Sequence, residues 1–190
     1  MDRFRRELEN FVREVYEGER KVLVFGEGPL RARVMLVGEA PGEREALESR
    51  PFVGRAGKNL DAFLEGAHIR REELYVTNAV KFRPTRTSAA GRAVNRPPSQ
   101  EEARLFAPWL AREIALVDPG CVVTLGNVAL RAVAEKRLTI GEVHGQLLTA
   151  QGRPLFPLYH PASVIYNPSL REIYAADVAA LARLLADGKI

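Results

Sequence analysis

A chain of 190 residues with 46% apolar and 27% charged side chains can fill one core but not two, and that balance excludes a disordered tail. The formal charge of +4 leans toward a polyanionic partner without requiring one. Cys121 is the only cysteine, which excludes an intrachain disulfide and a cysteine-held metal cluster.

In chain order, Phe4, Leu8, Phe11, Val12 and Val15 recur at helical spacing and predict an amphipathic first helix. Residues 21–25 are rich in β-branched side chains and predict a short strand closed by Gly26-Glu27-Gly28. Val34-Met35-Leu36-Val37 is apolar throughout, as expected of a strand buried on both faces. A helix over about 57–67 and a second buried strand over 74–80 follow. Residues 84–98 carry Pro, Arg, Ser and Gly without periodicity and predict a loop. Ser99-Gln100-Glu101-Glu102 is a capping box that opens a long helix toward Val117.

Residues 121–125 predict a third strand, with a new helix starting at Gly126-Asn127. Residues 143–149 and 154–159 predict a hairpin whose second strand joins the main sheet. An Ala/Leu-rich helix closes the chain over about 169–186. Strand and helix alternate, so the expected fold is one α/β domain over 1–190. It would be a three-layer α/β/α sandwich around a mainly parallel four-stranded sheet. The N-terminal run Met1–Arg6 lacks the apolar core of a signal peptide, and no stretch is long enough to span a bilayer. A cytoplasmic protein without a membrane partner is expected.

Ligands of such sheets bind beyond the carboxyl ends of the strands. The segments there are Gly38-Glu39-Ala40-Pro41-Gly42, residues 78–83, Gly126-Asn127 and His160-Pro161. Three of the four carry polar groups suited to chemistry, and no metal-ligand spacing occurs among them.

These same segments carry a resemblance. Gly38-Glu39-Ala40-Pro41-Gly42 with Arg50-Pro51-Phe52-Val53-Gly54-Arg55-Ala56-Gly57 resembles the first motif block of the family 4, thermophile-type, uracil-DNA glycosylases. Residues 75–84, Tyr-Val-Thr-Asn-Ala-Val-Lys-Phe-Arg-Pro, resemble the second block. Val123-Thr124-Leu125-Gly126 and Tyr159-His160-Pro161-Ala162 resemble the remaining two. Four blocks in order, over about residues 20–175, are far more specific than any one of them.

The departures matter as well. Family 4 members usually hold a four-cysteine iron–sulfur cluster. Phe11, Glu14, Phe82 and Phe106 stand where those cysteines would be, so an apolar patch of three phenylalanines is expected in its place. Ala46 replaces the second member of an acidic pair, and the loop over 85–96 is longer than usual. That loop holds no histidine of the kind a covalent branch of the superfamily uses.

The resemblance implies a monofunctional glycosylase without metal or other cofactor, a monomer that removes uracil from DNA and leaves an abasic site. The same fold acting on hypoxanthine or xanthine, and a non-catalytic damage-binding module, are the alternatives. Asn78 would offer an amide that accepts from uracil N3–H and donates to O4, a pattern cytosine opposes. Phe52 would stack on the flipped ring, and neutral His160 would donate to O2 as negative charge develops.

Glu39 would position water or stabilise the cationic sugar, unless backbone amides of its loop do so. Gly38, Ala40, Pro41 and Gly42 would shape the base pocket. Lys81, Arg83 and Arg86 would grip DNA together with Pro161 and Ala162, and Val164 or Ile165 would be the apolar wedge that enters the base stack.

Overall fold

The computed structural model describes residues 1–134 and 138–190. Its helices are α1 (Asp2–Val15), α2 (Glu43–Glu48), α3 (Arg55–Gly66), α4 (Gln100–Val117), α5 (Asn127–Ala134), α6 (Ile140–Val143), α7 (Ser163–Tyr166) and α8 (Leu170–Ala186). Its strands are β1 (Val34–Gly38), β2 (Tyr75–Asn78), β3 (Thr85–Thr87), β4 (Ala93–Asn95), β5 (Cys121–Leu125), β6 (Leu148–Ala150) and β7 (Arg153–Leu158).

The main sheet has five strands in the order β2-β1-β5-β7-β6. The first four run parallel, and β6 pairs antiparallel with β7. The expected α/β/α arrangement is therefore present with one strand more than the four expected, because the short β6 of the hairpin itself pairs at the edge.

Alternation along the strands divides the core. Val34, Leu36, Val123 and Phe156 face Leu60 and Leu64 of α3 and Tyr174, Val178 and Leu181 of α8. Met35, Val37, Val122 and Leu155 face Leu110 and Val117 of α4 and Leu130 and Val133 of α5. Both faces are covered, which is why β1 reads as an apolar run and β5 departs from one only at the buried Thr124.

A third cluster lies under α1. Phe4, Leu8 and Val12, at helical spacing, pack with Val80, Phe82 and Phe106. The ring centroids of Phe82 and Phe106 are 5.7 Å apart, and those of Phe11 and Phe106 6.4 Å. The three phenylalanines thus meet in one aromatic patch, while Glu14 is exposed on the outer face of α1. The three phenylalanine rings carry no thiolate or other donor atom for iron. Cys121, the one thiol, is buried in β5, where desolvation pushes its pKa up to about 12.

Three segments differ from expectation. Residues 143–149, expected as one strand of the hairpin, begin at the end of the short helix α6 and are strand only from Leu148. Residues 21–25 form no strand of the sheet. Leu23 makes an isolated antiparallel bridge to Phe82, beyond the end of β2, and Glu27, just after the segment, makes another to Val76 of the edge strand β2. Gly28 (φ +133°) makes that approach possible, since a Cβ there would sit 2.2 Å from the Leu74 carbonyl oxygen. The segment 84–98 contains the antiparallel pair β3–β4, in register Thr85 to Asn95 and Thr87 to Ala93. Nearly all of its side chains are exposed, so no burial pattern marks it.

Candidate active site

The parallel strands end together, and the segments that follow them converge on one cavity of about 350 Å³, at the lower end of pockets that hold small molecules. Asn78, Phe52 and His160 all line it.

Asn78 is the last residue of β2 and stands opposite Gly38 in the β1 register. Gly38 has to be glycine, because a Cβ would come within 2.4 Å of both Asn78 Oδ1 and Phe52 Cζ. Amide and ring thus close over a backbone that carries no side chain of its own.

Phe52 is buried, and its backbone is left-handed, with φ +54°. That region costs a side-chain-bearing residue roughly 1–2 kcal/mol, so the turn must be held from outside. Arg71 holds it, donating to the Pro51 carbonyl (2.9 Å) and the Phe52 carbonyl (3.1 Å) while pairing with Asp61 at 2.6 Å. Gly57, in the first turn of α3, leaves room for the Phe52 carbonyl, which a Cβ there would meet at 1.8 Å.

His160 follows β7, and its ring lies 6.2 Å from that of Phe52 at a 32° tilt. Burial drives its pKa down to about 4, against a smaller opposing pull from Glu45, so the imidazole is neutral at ordinary pH. The Ala162 N–H donates to His160 Nδ1 at 3.1 Å. A ring whose Nδ1 accepts carries its proton on Nε2, so what the ring can offer a ligand is an N–H donor.

Glu45 stands in the sequence as the retained member of the acidic pair that Ala46 interrupts, but no role was assigned to it there. Its two oxygens accept from Gly42 N–H (3.1 Å) and Gly54 N–H (2.8 Å), tying the two halves of the first motif block into one wall of the cavity. The signal was its position as third residue of a short helix opened by glycine, from which an acid can reach back to the helix N-terminus.

Glu39 is half-buried but is not among the cavity-lining side chains. Burial raises its pKa. Among the described residues its carboxylate accepts no hydrogen bond, and it is the Glu39 main-chain carbonyl that accepts from Val80 N–H (3.0 Å). Ala40, Gly42, Ala162 and Ile165 line the cavity, whereas Gly38, Pro41 and Pro161 do not. The Pro161 carbonyl accepts from Asn59 at 2.7 Å.

The basic residues need correction. Lys81 is 0% exposed and paired with Glu113, so it cannot meet a phosphate. Arg83 is 19% exposed and engaged, donating to Asn95 Oδ1 at 2.6 Å and lying 3.2 Å from Glu43. It braces β4, which brings Asn95 to the cavity. Arg86 is exposed on β3, and Arg44 and Arg55 stand at the cavity itself. Val164 is buried in the core, where a wedge cannot be, and the large side chain left in the open is Tyr166, 85% exposed beside the cavity. All these wedge candidates fall on α7, a helix of only four residues, so a shift of one position turns a side chain from core to solvent.

The model of the uracil DNA glycosylase superfamily matches residues 25–184. The chain is 38% identical over 167 residues to a type-4 uracil-DNA glycosylase of Saccharolobus solfataricus, covering 83% of this chain and 74% of that one. It is 38% identical over 160 residues to a type-4 uracil-DNA glycosylase of Thermotoga maritima, with 82% and 79% covered. In fold it is similar to the crystal structure of Pedobacter heparinus SMUG2, with a TM-score of 0.59 at 14% identity over 98% of this chain and 85% of that one.

Proposed function

The chain belongs to the uracil DNA glycosylase superfamily, and from that premise we propose that it hydrolyses the N-glycosidic bond of uracil in DNA, leaving an abasic site for base excision repair. The observation that carries this reading is the convergence of Asn78, Phe52 and a neutral, Nε2-protonated His160 on one cavity.

Each group has a task in that chemistry. A base within a duplex must leave the stack to reach the cavity, at a cost of a few kcal/mol. Phe52 offers a ring face to the extruded base, and its braced turn keeps that face in place before the base arrives. Asn78 reads the edge of the base, accepting from N3–H and donating to O4. Cleavage leaves negative charge on the departing base and positive charge on the sugar. His160 Nε2–H meets the first at O2, and being neutral beforehand it needs no change of protonation to do so.

Glu39 is the carboxylate for the second charge and for the water that attacks C1′. With no donor on its oxygens among the described residues, it is free to take a water. Its raised pKa places the carboxyl-to-carboxylate transition above the ordinary glutamate range, so the rate should climb with pH through that transition. DNA phosphates would be met by Arg44 and Arg55 at the cavity and by the exposed Arg86 on β3. The chain acts as a monomer and draws on no metal. The phenylalanine patch substitutes for an iron–sulfur cluster as a packing element.

Tyr166 is the residue that fills the gap left by the extruded base. Base–aromatic stacking is worth about 1–3 kcal/mol, so Tyr166→Ala is expected to slow excision from duplex DNA by about tenfold or more. Excision from single-stranded DNA, which has no gap to fill, should change far less. Equal losses on both substrates would remove Tyr166 from the wedge.

The reading as a whole is tested by single-turnover excision from oligonucleotides carrying uracil, hypoxanthine, xanthine or thymine opposite guanine, with EDTA present. Uracil is expected to be released fastest. Failure to release any base, by folded protein that still binds the DNA, would leave a damage-binding module in place of an enzyme. Preference for hypoxanthine or xanthine would assign the pocket to purines.

A further inference from the structure

Directly behind Asn78 lies a group of polar side chains that takes no part in the steps above. Lys81 and Glu113 form an ion pair with both side chains 0% exposed, in a molecule whose other ion pairs among the described residues all reach solvent on at least one side. Every hydrogen-bonding capacity of the ammonium is used. Lys81 Nζ donates to Thr77 Oγ1 (2.7 Å), to the Asn78 main-chain carbonyl (2.6 Å) and to Glu113. Glu113 also accepts from the Tyr75 hydroxyl (3.0 Å) and the Thr77 hydroxyl (3.1 Å). Gly26 closes the group from above, since a Cβ there would lie 2.6 Å from Glu113 Oε1 and from the Tyr75 ring.

Burying two charges is costly, and a well-packed apolar pair of similar volume is commonly as stable or more so. What an apolar pair cannot do is hold a carbonyl. The bond to Asn78 falls on the peptide that carries the amide of the cavity, at the point where β2 ends and the chain turns away. Tilting that peptide would rotate the Asn78 side chain away from the base edge. Helix α4, through Glu113, is thereby linked to β2 through Thr77, Tyr75 and Lys81, and the link ends on the residue that reads the base.

We propose that Lys81, anchored by Glu113, is a positioning residue that fixes the orientation of Asn78 and through it the selection of uracil. This rests on the glycosylase reading given above. The test is the double variant Lys81→Met/Glu113→Gln. It removes both charges together, keeps an acceptor oxygen for the Tyr75 and Thr77 hydroxyls, and deletes the donor to the Asn78 carbonyl along with the one to Thr77 Oγ1.

The variant is expected to melt within a few degrees of the parent and to bind undamaged DNA within about twofold of it. Uracil excision in single turnover should fall by about 30- to 100-fold, and inhibition by free uracil should weaken by about tenfold. A role in packing alone would lower the melting temperature and leave the rate and the free-uracil inhibition of the folded fraction unchanged, and that result would overturn the inference. If the double variant does not fold, Glu113→Gln alone releases the anchor of the ammonium, and a smaller fall of about five- to tenfold with the same weakening of free-uracil inhibition is expected. Parental values for both in that variant would also overturn the inference. The parent, assayed alongside, separates the two levels: a parent that releases no uracil refutes the function, whereas a parent that does and a folded variant that matches it refutes only the positioning role.

Discussion

His160→Ala is expected to excise uracil about 10²- to 10³-fold more slowly than the parent in single turnover, the loss that follows removal of one donor to a developing anion. DNA affinity should stay within a few-fold, since the ring lies inside the cavity with its Nδ1 already satisfied by Ala162 N–H. The pH profile identifies the protonation state that acts. An unperturbed histidine titrates near 6.5, but burial holds His160 near 4, so the parent should show no step from this group around pH 6.5. A parental step at that pH which disappears in His160→Ala would mean that imidazolium is the donor, contrary to the assignment.

The same shift has a consequence for stability. The folded pKa lies below the unfolded one, so between about 6.5 and about 4 the unfolded chain binds the proton more readily than the folded chain. The contribution of neutral His160 is complete above that window and is lost as pH falls through it. The melting temperature of His160→Ala should therefore fall less steeply over the same interval, and parallel slopes would place the burial of this ring in doubt.

How much of this could be read in advance varied with what each residue type reveals. The box at Ser99 and Glu102 marked the start of α4 to the residue, because the reciprocal bonds between Ser99 and Glu102 (3.1 and 2.6 Å) are local. β1 and β5 were legible because both their faces are buried. That the segments after Gly38, Asn78 and at His160 lie at one edge followed from the parallel sheet that strand–helix alternation implied, since parallel strands bring their carboxyl ends together.

Lys81 was misread for a physical reason. A lysine just past the end of a strand and two residues before Arg83 reads as a cation at the ligand edge, and its partner Glu113 lies 32 residues away on another element. Long-range pairing of that kind leaves no trace in periodicity. Arg83 and Arg71 were hidden similarly, since whether an arginine meets solvent or braces a turn is decided by the carbonyls and carboxylates that the fold brings to it. The β3–β4 pair escaped because alternation signals a strand only where one face is buried.

Asn78→Asp is the substitution with the largest expected effect on selection. The amide presents an acceptor and a donor side by side, which matches N3–H and O4 of uracil. An aspartate at the same place presents only acceptors when ionised, losing the donor to O4 and placing a charge where the side chain is 2% exposed. A site built to hydrogen-bond its substrate discriminates by about 10⁴–10⁵ against a partner that leaves a buried polar group unpaired, so uracil excision is expected to fall by at least about 10³-fold. The fold should survive, because aspartate is nearly isosteric and the Lys81 bond runs to the main-chain carbonyl of residue 78, which the substitution keeps.

DNA affinity should be nearly unchanged, since the phosphate contacts are proposed for Arg44, Arg55 and Arg86 and not for residue 78, and excision of the other bases in the panel should fall less than that of uracil. If Asn78→Asp released uracil at the parental rate, neither the amide nor the lysine behind it could be the element that reads the base. The cavity would then be selecting by shape through Phe52 and Gly38 alone.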